Sequence, residues 1–315
     1  MKLIIRILGV LLLASGVFLV AGLLATWASD RTVAQLSARW AQPPSKFVEV
    51  GGMQVHLRDE GPRNDPLPIV LLHGTSASLH TWDGWVASLK DEHRVIRFDL
   101  PAFGLTGPDP HNDYSIAAYV RFVVAVMDKL GVQRFVLAGN SLGGQIAWET
   151  ALSHPERVRQ LVLVDAAGYP FVPTSIPIGF RIARMPGLRV LMEHVLPRGV
   201  VDSSVRNVYG DPSKVTRELV DRYYELTLRA GNREALAYRM DQGLSGDENQ
   251  ISKLKLPTLI LWGDKDHLIP LDNGKRFALD IAGSKLVVFD DLGHVPHEED
   301  PKKTVEALKE FLAKP

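Results

Sequence analysis

The chain has 315 residues in which 36 Lys plus Arg balance 36 Asp plus Glu, so the formal net charge is zero and no basic block offers a nucleic-acid surface. Cysteine is absent, which excludes disulfides, thiolate metal sites and a lipidated N-terminal cysteine. The length suits one large α/β domain with an insertion, and neither a G-x-x-x-x-G-K phosphate loop nor an internal repeat is present.

No charge occurs from Ile7 to Ala28. About 22 residues at about 1.5 Å each reach roughly 33 Å, the thickness of a bilayer core. A cleaved signal peptide has a shorter apolar run, about 7 to 15 residues, and a better cleavage context than Thr26-Trp27-Ala28. Residues 1–28 therefore predict an uncleaved transmembrane helix in a bacterial cytoplasmic (inner) membrane. Lys2 and Arg6 would be held inside, leaving the rest of the chain periplasmic. Residues 29–45 predict a juxtamembrane helix and linker: Val33, Leu36 and Trp40 share one face, and Pro43-Pro44 ends it. This helix would continue the anchor and, with it, offers a surface for homodimerisation.

Strands are predicted near Phe47 to Val50 and Gln54 to Arg58, then at Ile69 to Leu72, Val95 to Phe98, Phe135 to Ala138 and Leu161 to Val164. Helical patterns near Trp82 to Leu89, Ile116 to Leu130 and Gln145 to Ser153 separate the later ones. Such alternation means a mostly parallel sheet flanked by helices. Residues 168–250 interrupt it with a Pro-rich start and helical patterns around Phe180 to Arg184, Val190 to Leu196 and after Asp211-Pro212, the last carrying Val215, Leu219 and Tyr223. This is a helical cap over a core of residues 46–167 and 251–315. Two more strands follow, Pro257 to Trp262 and Lys285 to Phe289.

The chemistry concentrates at strand ends. Gly139-Asn140-Ser141-Leu142-Gly143 is G-x-S-x-G between a strand and a helix, a turn that exposes and aims a serine hydroxyl. A serine is a weak nucleophile without a base beside it, and the base needs a partner to orient it. The next strand ends supply both types: Gly263-Asp264-Lys265-Asp266-His267 and Asp290-Asp291-Leu292-Gly293-His294-Val295-Pro296-His297.

Together with Leu72-His73-Gly74-Thr75 and Asp99-Leu100-Pro101-Ala102-Phe103-Gly104, these motifs cover Lys46 to Lys314 and resemble the α/β-hydrolase-fold serine hydrolases. Gly-Asn-Ser-Leu-Gly-Gly and Val164-Asp165-Ala166-Ala167-Gly168 are similar to bacterial lipases and carboxylesterases, including membrane-anchored phospholipase-like members. The resemblance implies Ser141 as nucleophile, His294 as base and Asp266 as its acid, ahead of Asp264 and Asp165. It also implies an oxyanion hole from the amides of Leu142 and Thr75. His73 would bond the loop backbone, and His56, His80, His93, His111, His154 and His194 would be bland residues of turns and polar faces. A metal shared by His294 and His297 is disfavoured because Pro296 breaks the helical geometry between them. No cofactor and no metal are expected.

The expected substrate is a carboxylic ester, above all an acyl lipid met at the membrane and cleaved by lipase, phospholipase A or carboxylesterase chemistry through an acyl-serine intermediate. Dehalogenases and epoxide hydrolases use aspartate where Ser141 stands. Carbon–carbon bond hydrolases and prolyl aminopeptidases keep the serine, but the loop after His73 departs from their glycine-rich forms. They remain the alternative, with a non-catalytic membrane-anchored binding module as the rival from another class.

Overall fold

The computed structural model describes residues 26–185, 194–243 and 246–313, with short pieces at 6–8, 13–17 and 21–22. The first regular element after residue 26 is α1 (Val33–Trp40), opened by a capping box in which Thr32 and Gln35 satisfy each other's backbone amides. Strands β1 (Lys46–Val50) and β2 (Met53–Glu60) form an antiparallel hairpin. Then β3 (Ile69–Leu72), α2 (Asp83–Leu89), β4 (Val95–Phe98), α3 (Ile116–Lys129), β5 (Phe135–Asn140), α4 (Leu142–Ser153) and β6 (Val158–Val164) alternate. An insertion carries α5 (Ile178–Ala183), α6 (Arg198–Asn207), α7 (Arg217–Thr227) and α8 (Asn232–Asp241), and β7 (Thr258–Gly263), α9 (Leu271–Asp280), β8 (Lys285–Phe289), α10 (Pro296–Glu299) and α11 (Pro301–Leu312) complete the chain.

The eight strands form one sheet in the order β1-β2-β4-β3-β5-β6-β7-β8, parallel from β4 to β8. Every residue of β3, β4, β5 and β7 is buried, as expected of strands covered on both faces. One apolar core, with Phe98, Val123, Ile146 and Trp262, fills one face; a second, with Trp82, Trp85, Val162 and Leu308, fills the other.

The N-terminal expectation is corrected. Among the described residues no helix is long and apolar enough to cross a membrane. Most of the expected span, residues 7–25, lies outside the described residues. The end of the expected span belongs instead to the folded body: Ala28 is buried and donates to His194 O at 2.8 Å, Leu196 donates to Thr26 O at 3.1 Å, and Trp27 stacks on His194. The single-pass inner-membrane placement with a periplasmic domain is thereby overturned. Nor does α1 continue an anchor, since Thr32 starts it anew.

Two smaller expectations also change. The segment after Asp211-Pro212 is a short 3-10 turn, Pro212–Lys214, after which Val215 is extended and Thr216 caps α7 afresh. The helix expected at Val190 to Leu196 lies mostly outside the described residues, and Val195 within it bridges Trp27.

Candidate active site

Between β5 and α4 the chain reverses on a single residue. Ser141 has φ 55° and ψ −116°, a conformation that non-glycine residues rarely hold outside sites where the surroundings enforce it. The enforcement is steric: a Cβ on Gly143 would sit 2.3 Å from Leu72 O, so only glycine lets α4 press against the end of β3. The loop after β3 is equally close, since a Cβ on Gly74 would lie 3.1 Å from Ser141 Cβ. Among the described residues, the amides of Leu142, the first residue of α4, and of Thr75, in that loop, donate to no protein acceptor. Two free donors beside the serine, one at a helix N-terminus, suit a developing oxyanion.

Asp266 follows β7 and His294 follows β8; both are buried. Asp266 Oδ1 accepts from the amides of Leu268 (2.8 Å) and Ile269 (2.9 Å), which fixes the carboxylate, and Oδ2 lies 2.7 Å from His294 Nδ1. The histidine loop is pinned from three sides. His294 N donates to Val208 O at 2.8 Å, Gly293 N donates to Glu299 Oε2 at 2.9 Å, and Asn140 Nδ2 donates to His294 O at 2.9 Å. Gly293 is forced by this threading, because a Cβ there would meet Gly210 N at 2.4 Å. Ser141 and His294 line the same chamber without a hydrogen bond between them, a looseness common before substrate binds.

The other sequence candidates lie elsewhere. Asp264 serves the loop, accepting the Asp291 amide at 2.8 Å. His297 points away from His294, to Thr81 Oγ1 at 3.1 Å, and burial, with His294 and Arg222 adding to it, pushes its pKa well down. The trio close enough to share an ion among the described residues is Asp165, Asp266 and His294, with ligating atoms within 4.8 Å of one another. Asp266 and His294 are already bonded to each other, and Asp165 Oδ1 accepts the Gly263 amide at 3.0 Å.

The chamber over Ser141 has a volume of about 290 Å³. The insertion supplies much of its apolar wall, including Phe180, Ile182, Val195, Leu196, Val200 and Val205. Among the described residues one charged side chain outside the His–Asp pair lines it: Arg233, on α8. It is 5% exposed, its Nη2 bonds Asp30 at 2.6 Å, and its Nε and Nη1 have no partner.

Sequence reasoning missed Arg233 and Asn140, because nothing in their local pattern distinguishes a chamber wall from a helix surface or a turn. It also misjudged His56 and His80, which are buried: His56 Nδ1 lies 2.7 Å from Asp99 Oδ2, and His80 Nε2 lies 2.9 Å from Trp40 O. His73 does bond the loop backbone, with Nδ1 2.7 Å from Gly74 O and Nε2 accepting the Leu100 amide at 2.9 Å.

Parallel strands that carry a serine, an aspartate and a histidine to one end of a helix-flanked sheet are the architecture of α/β hydrolases. The chain belongs to the alpha/beta hydrolase fold family, whose sequence pattern matches residues 68–301, and it is a hydrolase. Among relatives, it is 31% identical to a 2-hydroxy-6-oxo-2,4-heptadienoate hydrolase of Pseudomonas putida, over 85% of this chain and 96% of that one. Among solved structures, it resembles a meta-cleavage product hydrolase of Pseudomonas fluorescens (27% identity, TM-score 0.72, covering 85% of this chain and 97% of that one). It also resembles a membrane phospholipase A described as a bacterial virulence factor (25% identity, TM-score 0.73, covering 99% and 97%). The named relatives thus include hydrolases of a heptadienoate and of a meta-cleavage product, against the expectation of a lipase branch. The loop after His73, lacking extra glycines, did not separate the chain from them.

Proposed function

We propose that the protein hydrolyses a carbon–carbon bond beside a ketone in an apolar substrate that carries a carboxylate. Ser141 Oγ attacks the ketone carbon while His294 takes its proton, Asp266 stabilises the imidazolium, and the Thr75 and Leu142 amides receive the oxyanion. The carbon–carbon bond then breaks and its electron pair leaves on a conjugated fragment that can hold it. His294 returns the proton to that fragment, and water attacking the acyl-serine releases the acid and restores Ser141.

Arg233 is the observation that carries this reading over simple ester cleavage. Arg233 brings a buried positive charge to an otherwise apolar wall, with Asp30 as its one ion-pair partner, and a substrate carboxylate is the group such a charge attracts. The relatives' names supply the substrate class, since a heptadienoate is such an acid. The test is loss of dienone absorbance with 2-hydroxy-6-oxo-2,4-heptadienoate, run beside a neutral aryl ester. Arg233→Gln is expected to raise KM for the keto acid by roughly 10- to 100-fold, the worth of a charge-assisted pair, and to leave the neutral ester unaffected. Turnover of aryl esters with none of the keto acid would overturn it. Ester cleavage is the second reading, favoured by the apolar wall that Phe180, Ile182, Val200 and Val205 share, which suits an acyl chain; the same Ser141 step then expels an alkoxide.

A further inference from the structure

A buried carboxyl group beside the His–Asp pair takes no part in the mechanism above. Asp165 ends β6, one strand over from Asp266, and is 0% exposed. Its φ of 43° holds it in the left-handed region, a strained conformation for a buried aspartate. Its Oδ1 accepts the Gly263 amide at 3.0 Å, whereas Oδ2 has no hydrogen-bond partner, and its carboxyl lies within 4.8 Å of the ligating atoms of both Asp266 and His294. Two buried carboxylates that close cannot both be ionised next to a single imidazole, because their repulsion in a low-dielectric site outweighs the hydration neither can recover. Asp266 is the better partnered of the two: it holds two amides and His294, against one amide for Asp165. Burial, with the charge of Asp266 next and Glu299 adding to it, pushes the Asp165 carboxyl well up.

We propose that Asp165 is a second acid of the His294 site, a positioning residue that holds a proton while Asp266 is ionised and supplies the negative charge for the imidazolium when Asp266 cannot. The proposal rests on the reading of Ser141, Asp266 and His294 as the catalytic set, and is independent of which bond the enzyme cleaves. The charges that face Asp165 are Asp266 from the loop after β7, His294 from the loop after β8 and Glu299 from α10. Removing the Asp266 charge removes the nearest repulsion, so Asp165 then releases its proton at a lower pH than it does beside Asp266.

The test is a pair of isosteric changes and their combination, Asp266→Asn, Asp165→Asn and the double variant, assayed with a neutral aryl ester and by the rate of fluorophosphonate labelling across pH 5 to 10. Asp266→Asn is expected to keep measurable activity whose pH profile gains a new ascending limb as Asp165 ionises. The double variant loses at least a further 10-fold and loses that limb. Asp165→Asn alone falls by less than about 10-fold, because Asp266 keeps its two amides and its bond to His294. Urea midpoints for the three variants separate unfolding from chemistry, and the pH limb is a readout that a purely structural role would not move. Equal rates and identical pH profiles for Asp266→Asn and the double variant would overturn the proposal. So would a loss in Asp165→Asn alone as large as that in Asp266→Asn, which would make Asp165 the working acid. Labelling that survives Ser141→Ala would instead sink the serine-nucleophile reading.

Discussion

Asn140, one residue before Ser141, shows how a single buried amide joins two parts of the site. Its Nδ2 donates both to Val164 O (3.1 Å), at the end of β6, and to His294 O (2.9 Å), so the serine turn and the histidine loop share one clamp. Asn140→Ala removes both bonds; Val164 O keeps the Ser141 amide at 3.1 Å, but the His294 carbonyl is left without its donor, at a cost of roughly 1–3 kcal/mol. It also frees His294 to drift, and misplacements of about 1 Å can cost about 100-fold. The expected outcome is a 10- to 100-fold fall in kcat for any substrate, with a lower urea midpoint; unchanged kcat would show that the loop is held by Glu299 and Val208 alone. Ser141 was legible because its turn needs small residues at fixed offsets, and Asp266 and His294 because each follows an apolar strand run. Asn140 and Arg233 were not, since their roles are set by a carbonyl 154 residues away and by chamber walls on other elements.

At the scale of elements, α1 is an outlying helix that the body holds by one face. Leu36 and Trp40 are buried in a small cluster with Leu105 and Leu226, and Trp40 Nε1 donates to Glu225 Oε2 at 2.7 Å. That face was read correctly from the spacing of Val33, Leu36 and Trp40, but it meets α7 and not a membrane. Trp40→Ala opens a cavity and orphans Glu225 Oε2, so a loss of about 3–5 kcal/mol is expected by urea unfolding. Because α7 also carries Tyr223 and Thr227 into the chamber wall, KM should rise as well. A variant with normal stability would mean that α1 is merely draped on the surface. The insertion was harder to read than the core for a physical reason. Asp211-Pro212 and Thr216 are both good helix starts, and the choice between them is made at long range. Arg206 from α6 donates to Pro212 O (2.6 Å) and Val215 O (3.2 Å) and so holds Val215 extended. Core strands have no such competition, since an apolar run of four to seven residues between turns has one place to go.

Across the whole molecule, Asp99 couples the two kinds of pairing in the sheet. It follows β4, which runs antiparallel to β2 on one side and parallel to β3 on the other. His56 of β2 lies 2.7 Å from Asp99 Oδ2, which also accepts the Leu105 amide at 2.8 Å, while Oδ1 accepts the Leu79 amide at 2.8 Å. Burial pushes this carboxyl up, but His56 foremost, then His73 and the Leu79 amide, outweigh it and hold its pKa down at about 2, against an ordinary value of 3.8. A carboxyl depressed on folding adds stability that is fully present above its unfolded pKa and is lost as pH falls through 3.8 toward 2. The size of this contribution is about 2 kcal/mol. Asp99→Asn should therefore be less stable than the parent by about that amount at pH 7, and urea midpoints of the two proteins should converge as pH is lowered from 5 to 2. A gap that persists undiminished at pH 2 would mean that the Asp99 oxygens contribute through their hydrogen-bond geometry and not through charge. The sheet would then be joined at this point by the Leu79 and Leu105 amides, with His56 a packing neighbour.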